Sequence, residues 1–130
     1  MLIIFDENIP YSIAEGLNII VKDFEISHPT KLFNRKGVKD DELIKYAGEN
    51  SAVIVTYDND FKNIKLKGGL YVHHKIGVFF IKFDKKEKKY WHIVKQIVNN
   101  FEFIKDIIST ERKPFVYELS NKGKPKRFQF

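Results

Sequence analysis

The stretch "SAVIVTYDNDFKN", Ser51 to Asn63, decides how this chain is read. Ala52 to Val55 is a β-branched apolar run of the kind that forms a strand buried on both faces. It ends in Thr56, Tyr57, and then two aspartates, Asp58 and Asp60. In open α/β sheets, ligands bind beyond the carboxyl ends of the strands, so acids at this point suggest a site. Working outward, Leu2 to Phe5 is a second buried run and is likewise followed by an acid, Asp6, in "DENIP". If the two strands are parallel, Asp6 and Asp58 share one rim.

The rest of the chain fits such a sheet. Pro10 is suited to the first turn of a helix that Gly16 would stop, and a short strand is expected around Asn18 to Val21. "SHPTKLFNRKG" reads as a loop. In "KDDELIKYAGEN", Leu43, Ile44 and Ala47 share a helical face. "GVFFIKF", Gly77 to Phe83, is another apolar strand. From Lys86 to about Ser109, Tyr90, Ile93/Val94, Ile97/Val98, Phe101, Ile104 and Ile108 recur at three- and four-residue spacing, a helix that should pack on the sheet. Trp91 and the Phe-rich face of this helix could stack on bases, but at helical spacing they read more readily as core. "PFVYELSNKGKPKRFQF" reads as a hairpin turning near Asn121 and Gly123. Alternating strands and helices predict an α/β fold, a three-layer domain with a mostly parallel sheet plus a C-terminal β-hairpin.

The chain has 130 residues, and domains commonly run about 100 to 150, so one domain over 1–130 is expected, with 111–130 as a basic hairpin or tail. There is no cysteine, which excludes disulfides, thiolate metal sites and cysteine nucleophiles. The first apolar run is only four residues long before Asp6, too short for a signal or membrane span, so a cytoplasmic protein with no membrane contact is expected. The net charge is +6, and residues 111–130 carry six Lys or Arg against two Glu. Such an excess predisposes a protein to polyanions.

Carboxylates gathered on one rim repel unless a cation lies between them. Asp6, Asp58 and Asp60, with one acid from Asp40, Asp41 or Glu42, would form an oxygen-only site suited to Mg2+ or Mn2+. Ordinary roles compete: a solvated turn for Asp58 and Asp60, and helix caps for Asp6 and Asp40. Those roles do not explain acids after two separate buried strands. An EF-hand loop fails, because Asn63 and Gly69 occupy its obligatory Gly and Glu positions. A phosphatase of the strand-DxD type would need threonine where Lys62 stands. A glycosyltransferase DxD motif also follows an apolar strand, but 130 residues is short for that fold.

"IIFDENIP" followed by "DDELIKYAGENSAVIVTYDNDFKN" resembles the PIN-like nucleases, in particular a compact group with D-E-N-x-P after the first strand, D-x-E-I-x-x-x-A opening a middle helix, and T-x-D-x-D-F ending a later strand. The resemblance covers roughly residues 2 to 61. It implies a Mg2+- or Mn2+-dependent endoribonuclease, often the toxin of a toxin–antitoxin pair. Carried over by position, Asp6, Asp40, Asp58 and Asp60 form the catalytic, metal-holding set. Ala47, seven residues on, favours Asp40 in this register, and Asp41 is the alternative. Asn8 and Thr56 match the polar positions beside the acids and are expected to orient ligands or substrate.

The expected partners are therefore an RNA substrate and a cognate antitoxin protein, with homodimerisation left open. Lys62, Lys65, Lys122, Lys124, Lys126 and Arg127 are candidates for phosphate contact, against the plainer reading of a solvated lysine-rich surface. His73 and His74 lack partners at ligand spacing and read as loop or core residues. Two other functions compete: a noncatalytic nucleic-acid or partner-binding module, and a phosphatase-like hydrolase.

Overall fold

The computed structural model describes residues 1–57, 61–82, 90–120 and 125–128, with residues 61–67 described by backbone alone. Four runs rich in Ile, Val and Phe form parallel strands: β1 (Leu2–Phe5), β3 (Val53–Thr56), β4 (Gly77–Ile81) and β5 (Phe115–Leu119). A short strand β2 (Glu25–Ser27) pairs parallel with β1, and β6 (Lys126–Arg127) pairs antiparallel with β5. The sheet order is β2-β1-β3-β4-β5-β6. The helices are α1 (Tyr11–Ile20), α2 (Pro29–Phe33), α3 (Asp40–Glu49), α4 (Phe61–His74) and α5 (Tyr90–Thr110).

Because side chains alternate along a strand, each central strand feeds two cores. Ile3, Phe5, Val53, Val55, Phe79, Ile81, Phe115 and Tyr117 pack with Ile13 and Ala14 of α1 and Ile93, Ile97 and Ile104 of α5. Ile4, Ile54, Val78, Phe80 and Val116 face the other way, toward Leu43, Ile44 and Ala47 of α3 and Tyr71 of α4. The result is the three-layer α/β domain with a mostly parallel sheet and a C-terminal antiparallel pair.

Several local expectations need correction. α1 runs through Gly16 to Ile20, because burial of Ile13 and Ala14, with Leu17 packed against the same core, outweighs the roughly 1 kcal/mol that glycine costs a helix. The strand expected around Asn18 to Val21 is therefore the last turn of that helix, and the edge strand comes later, at Glu25–Ser27. Within the expected loop, His28 caps α2: its Nδ1 accepts the Thr30 N–H at 3.2 Å. His73 and His74 end α4, where Gly48 of α3 passes so close that a Cβ would lie 2.7 Å from the His74 carbonyl oxygen.

The C-terminal pair is fastened from outside. Arg127 donates to Glu111 Oε2 at 2.7 Å and lies over the Tyr117 ring, while the Tyr117 hydroxyl donates to Glu111 Oε1 at 2.8 Å. Burial, reinforced by the bond to Glu111, pushes the Tyr117 phenol above its ordinary pKa.

Candidate active site

The strand order places a topological switch between β1 and β3. From β1 the chain leaves through α1 on one face of the sheet, and from β3 through α4 on the other. The carboxyl ends of these two strands border the crevice where such sheets bind ligands. Asp6 follows β1 directly, its N–H donating to the Val55 carbonyl at 2.9 Å. Asp6 is thereby joined to β3 one residue before Thr56.

The Asp6 carboxylate is oriented by two donors. Its Oδ1 accepts the Glu7 N–H at 2.7 Å and its Oδ2 accepts the Thr56 hydroxyl at 3.0 Å. Asn8 reaches the same strand end by a two-point contact: Oδ1 accepts the Tyr57 N–H at 3.1 Å and Nδ2 donates to the Tyr57 carbonyl at 2.9 Å. Nδ2 also lies 3.2 Å from Thr56 Oγ1. An amide paired with one residue's N–H and C=O fixes both its position and its direction. Asn8 therefore sets the course of the backbone at the residue that precedes Asp58.

Glu7, between these two, was not singled out by its sequence context. Its Oε1 accepts the Val38 N–H at 3.0 Å, holding the segment that enters α3 two residues before Asp40. Since α3 leads into β3, its N-terminal end belongs to this rim. Within α3, Asp40 falls in register with the buried Leu43, Ile44 and Ala47, whereas Glu42 is engaged by Arg35 and Asp41 Oδ1 accepts the Glu42 N–H at 3.1 Å. His28, itself buried, adds a further tie. With Nδ1 accepting from Thr30, Nε2 carries the proton and donates to the Ile9 carbonyl at 2.9 Å, bracing the turn that contains Asp6. A His-Pro pair at a helix start was the only sequence signal for it.

Asp6, Asn8, Thr56 and Asp40 are thus gathered on, or tied to, one rim. Asp58 and Asp60 lie outside the described residues, as do Lys122, Lys124 and the side chains of Lys62 and Lys65. Among the described residues, no group of three or more carboxylates and imidazoles is assembled at a metal-holding distance. Lys126 is exposed, and Arg127 is committed to Glu111. No described helix is long and apolar enough to cross a membrane.

The Glu7 bridge carries its own expectation. Glu7→Ala should loosen the entry to α3 and speed exchange of the Val38 amide about five- to tenfold, the equivalent of one net hydrogen bond of roughly 1 kcal/mol. Glu7→Gln keeps an acceptor for Val38 N–H and should keep most of that protection. Hydrogen exchange at the Val38 amide distinguishes the two variants, and equal protection in both would remove the bridge from the account.

Comparison with curated proteins and with solved structures gives no significant match. The family described as PIN like domain matches residues 1–83, nearly two-thirds of the chain, ending just past β4 and including every rim residue described above. PIN-like domains are nuclease-type folds, and their members generally act on nucleic acids. On that match, and on the sheet and acidic strand ends that accompany it, the chain belongs to the PIN-like domain family.

Proposed function

We propose that the chain is a metal-dependent endoribonuclease that hydrolyses RNA phosphodiesters and serves as the toxin of a toxin–antitoxin pair. The observation that carries this reading is the pair of links from consecutive residues: Glu7 to the entry of α3 and Asn8 to the backbone before Asp58, with Asp6 between two donors beside them. A turn or helix cap needs no such arrangement. A site built from acids on three separate segments does.

The donor set, carboxylate oxygen in a chain without cysteine, fits a hard divalent cation. Asp6, Asp40, Asp58 and Asp60 would hold it, with Asp41 the alternative for the middle position. When bound, Mg2+ or Mn2+ supplies an activated water and neutralises charge on the leaving oxygen. The chain's own contribution is placement. Thr56 holds the Asp6 carboxylate in one orientation, Asn8 fixes the approach to Asp58, and Lys62, Lys65, Lys122, Lys124 and Lys126 are cations suited to backbone phosphates, Arg127 being engaged by Glu111.

The test is cleavage of single-stranded RNA by the full chain with Mg2+ or Mn2+, against the same reaction in EDTA. Cleavage lost in chelator and restored by added metal is expected, and equal cleavage with chelator present would end the metal-dependent reading. Coexpression with the product of the adjacent reading frame tests the toxin role: growth arrest relieved by a small DNA-binding partner is expected.

A further inference from the structure

Tyr90 and Trp91 open α5, and the structure places neither in the core. Trp91 is 68% exposed and Tyr90 40% exposed, whereas Ile93, Ile97 and Ile104 behind them are buried. An indole left in water presents a flat apolar face, and its position in the fold indicates what could occupy it. α5 follows β4 and returns to the start of β5, which is parallel to β4. Its N-terminal end therefore lies toward the carboxyl ends of the strands, the rim that carries Asp6 and Thr56. α5 shares the α1 face of the sheet, and the Tyr90 hydroxyl lies 2.9 Å from Ser12 Oγ in the first turn of α1. Ser12 is six residues past Asp6. The Tyr90 and Trp91 rings are 5.4 Å apart with planes at 82°, so the tethered tyrosine limits the rotation of the tryptophan beside it.

A solvent-facing indole at the strand-end rim of a chain with net charge +6 has the properties of a stacking platform for an unpaired base of a polyanion. We infer that Trp91, steadied by Tyr90 and Ser12, stacks on an unpaired nucleobase of the RNA substrate near the bond to be cleaved. This rests on the nuclease reading above and adds the part of the substrate that the acids cannot recognise. Flanking aromatic contact selects single strands over duplex, because paired bases offer no free face.

Trp91 is the only tryptophan in the chain, so its emission reports on this position alone. The experiment titrates the full chain, in EDTA to prevent turnover, with an end-labelled uridine oligomer and with an abasic ribose-phosphate oligomer of equal length. Label anisotropy follows binding, and Trp91 emission follows stacking. Saturable quenching by the uridine strand but not the abasic one is expected. Trp91→Ala should weaken uridine-strand binding about tenfold, within the range found for losing one base–aromatic stack. Abasic binding should be unaffected, and Trp91→Phe should stay close to the parent. Binding or metal-dependent cleavage without quenching, quenching equal for both strands, or unaltered affinity of Trp91→Ala overturns the platform and leaves the nuclease reading standing. Absence of both binding and metal-dependent cleavage overturns the nuclease reading and the platform with it. If Trp91→Ala spares RNA but loses neutralisation by an antitoxin, the surface is a protein contact and the inference fails.

Discussion

Asp6→Asn is expected to slow RNA cleavage about a thousandfold, the rate equivalent of ~4 kcal/mol, in line with the several kcal/mol that a correctly held metal contributes. The substitution is nearly isosteric, and the environment of Asp6 tolerates it. An asparagine Oδ1 can still accept the Glu7 N–H, and the Thr56 hydroxyl, now facing an amide NH2, can turn to accept instead of donate. What disappears is one negative charge on the rim. On the metal-site proposal that charge is repelled by the other acids when no metal is bound, so the variant should unfold at the same denaturant concentration as the parent or a higher one. The measurement is single-turnover cleavage at saturating Mn2+ beside a urea melt in EDTA. Full activity in the variant would reduce Asp6 to a structural residue of the turn before α1. An unfolded variant would show that its carboxylate is needed for folding. Asp58→Asn should behave in the same direction if Asp58 holds the same cation.

Much of this arrangement could be read in the sequence because it depends on local periodicity. β1, β3 and β4 are short runs whose buried residues are consecutive, which identifies strands covered on both faces, and the rule that such sheets bind ligands beyond their carboxyl ends draws notice to the acids after β1 and β3. α3 and α5 were legible from their apolar stripes. The misses have physical causes. Gly16 suggested an end to α1 that packing overrode, and Gly68 and Gly69 disguised α4, a helix required to carry the chain between the parallel strands β3 and β4. Helical spacing favours the core for Trp91, but the stripe's centre runs through Ile93, Ile97 and Ile104 and leaves the indole outside it. Glu7 carries no sequence signal, because its function is a bond to a backbone amide 31 positions away, which no spacing rule encodes.

The second large effect is expected at Asn8. Asn8→Ala deletes both contacts to the Tyr57 backbone and leaves a part-buried N–H and C=O without their partner. Each net hydrogen bond contributes roughly 1 kcal/mol, so a urea melt should show a loss of about 2 kcal/mol. The effect on cleavage should be larger than that loss alone explains, about 10- to 100-fold, since residues that orient metal ligands act at that scale. Excess metal is the discriminating variable. If Asn8 acts by aiming the segment that bears Asp58, the variant requires more Mn2+ for half-maximal rate and recovers part of its activity when metal is raised. If Asn8 only stabilises the domain, activity per folded molecule and metal requirement both stay at the parent's values. Asn8→Asp separates the two halves of the contact, because it keeps an acceptor for the Tyr57 N–H, loses the donor to the carbonyl, and adds a carboxylate beside Asp6. It should retain more stability than the alanine variant in high metal and less in EDTA, where the extra charge is uncompensated. Equal stability of Asn8→Asp in both conditions would mean that no cation binds near this end of β1.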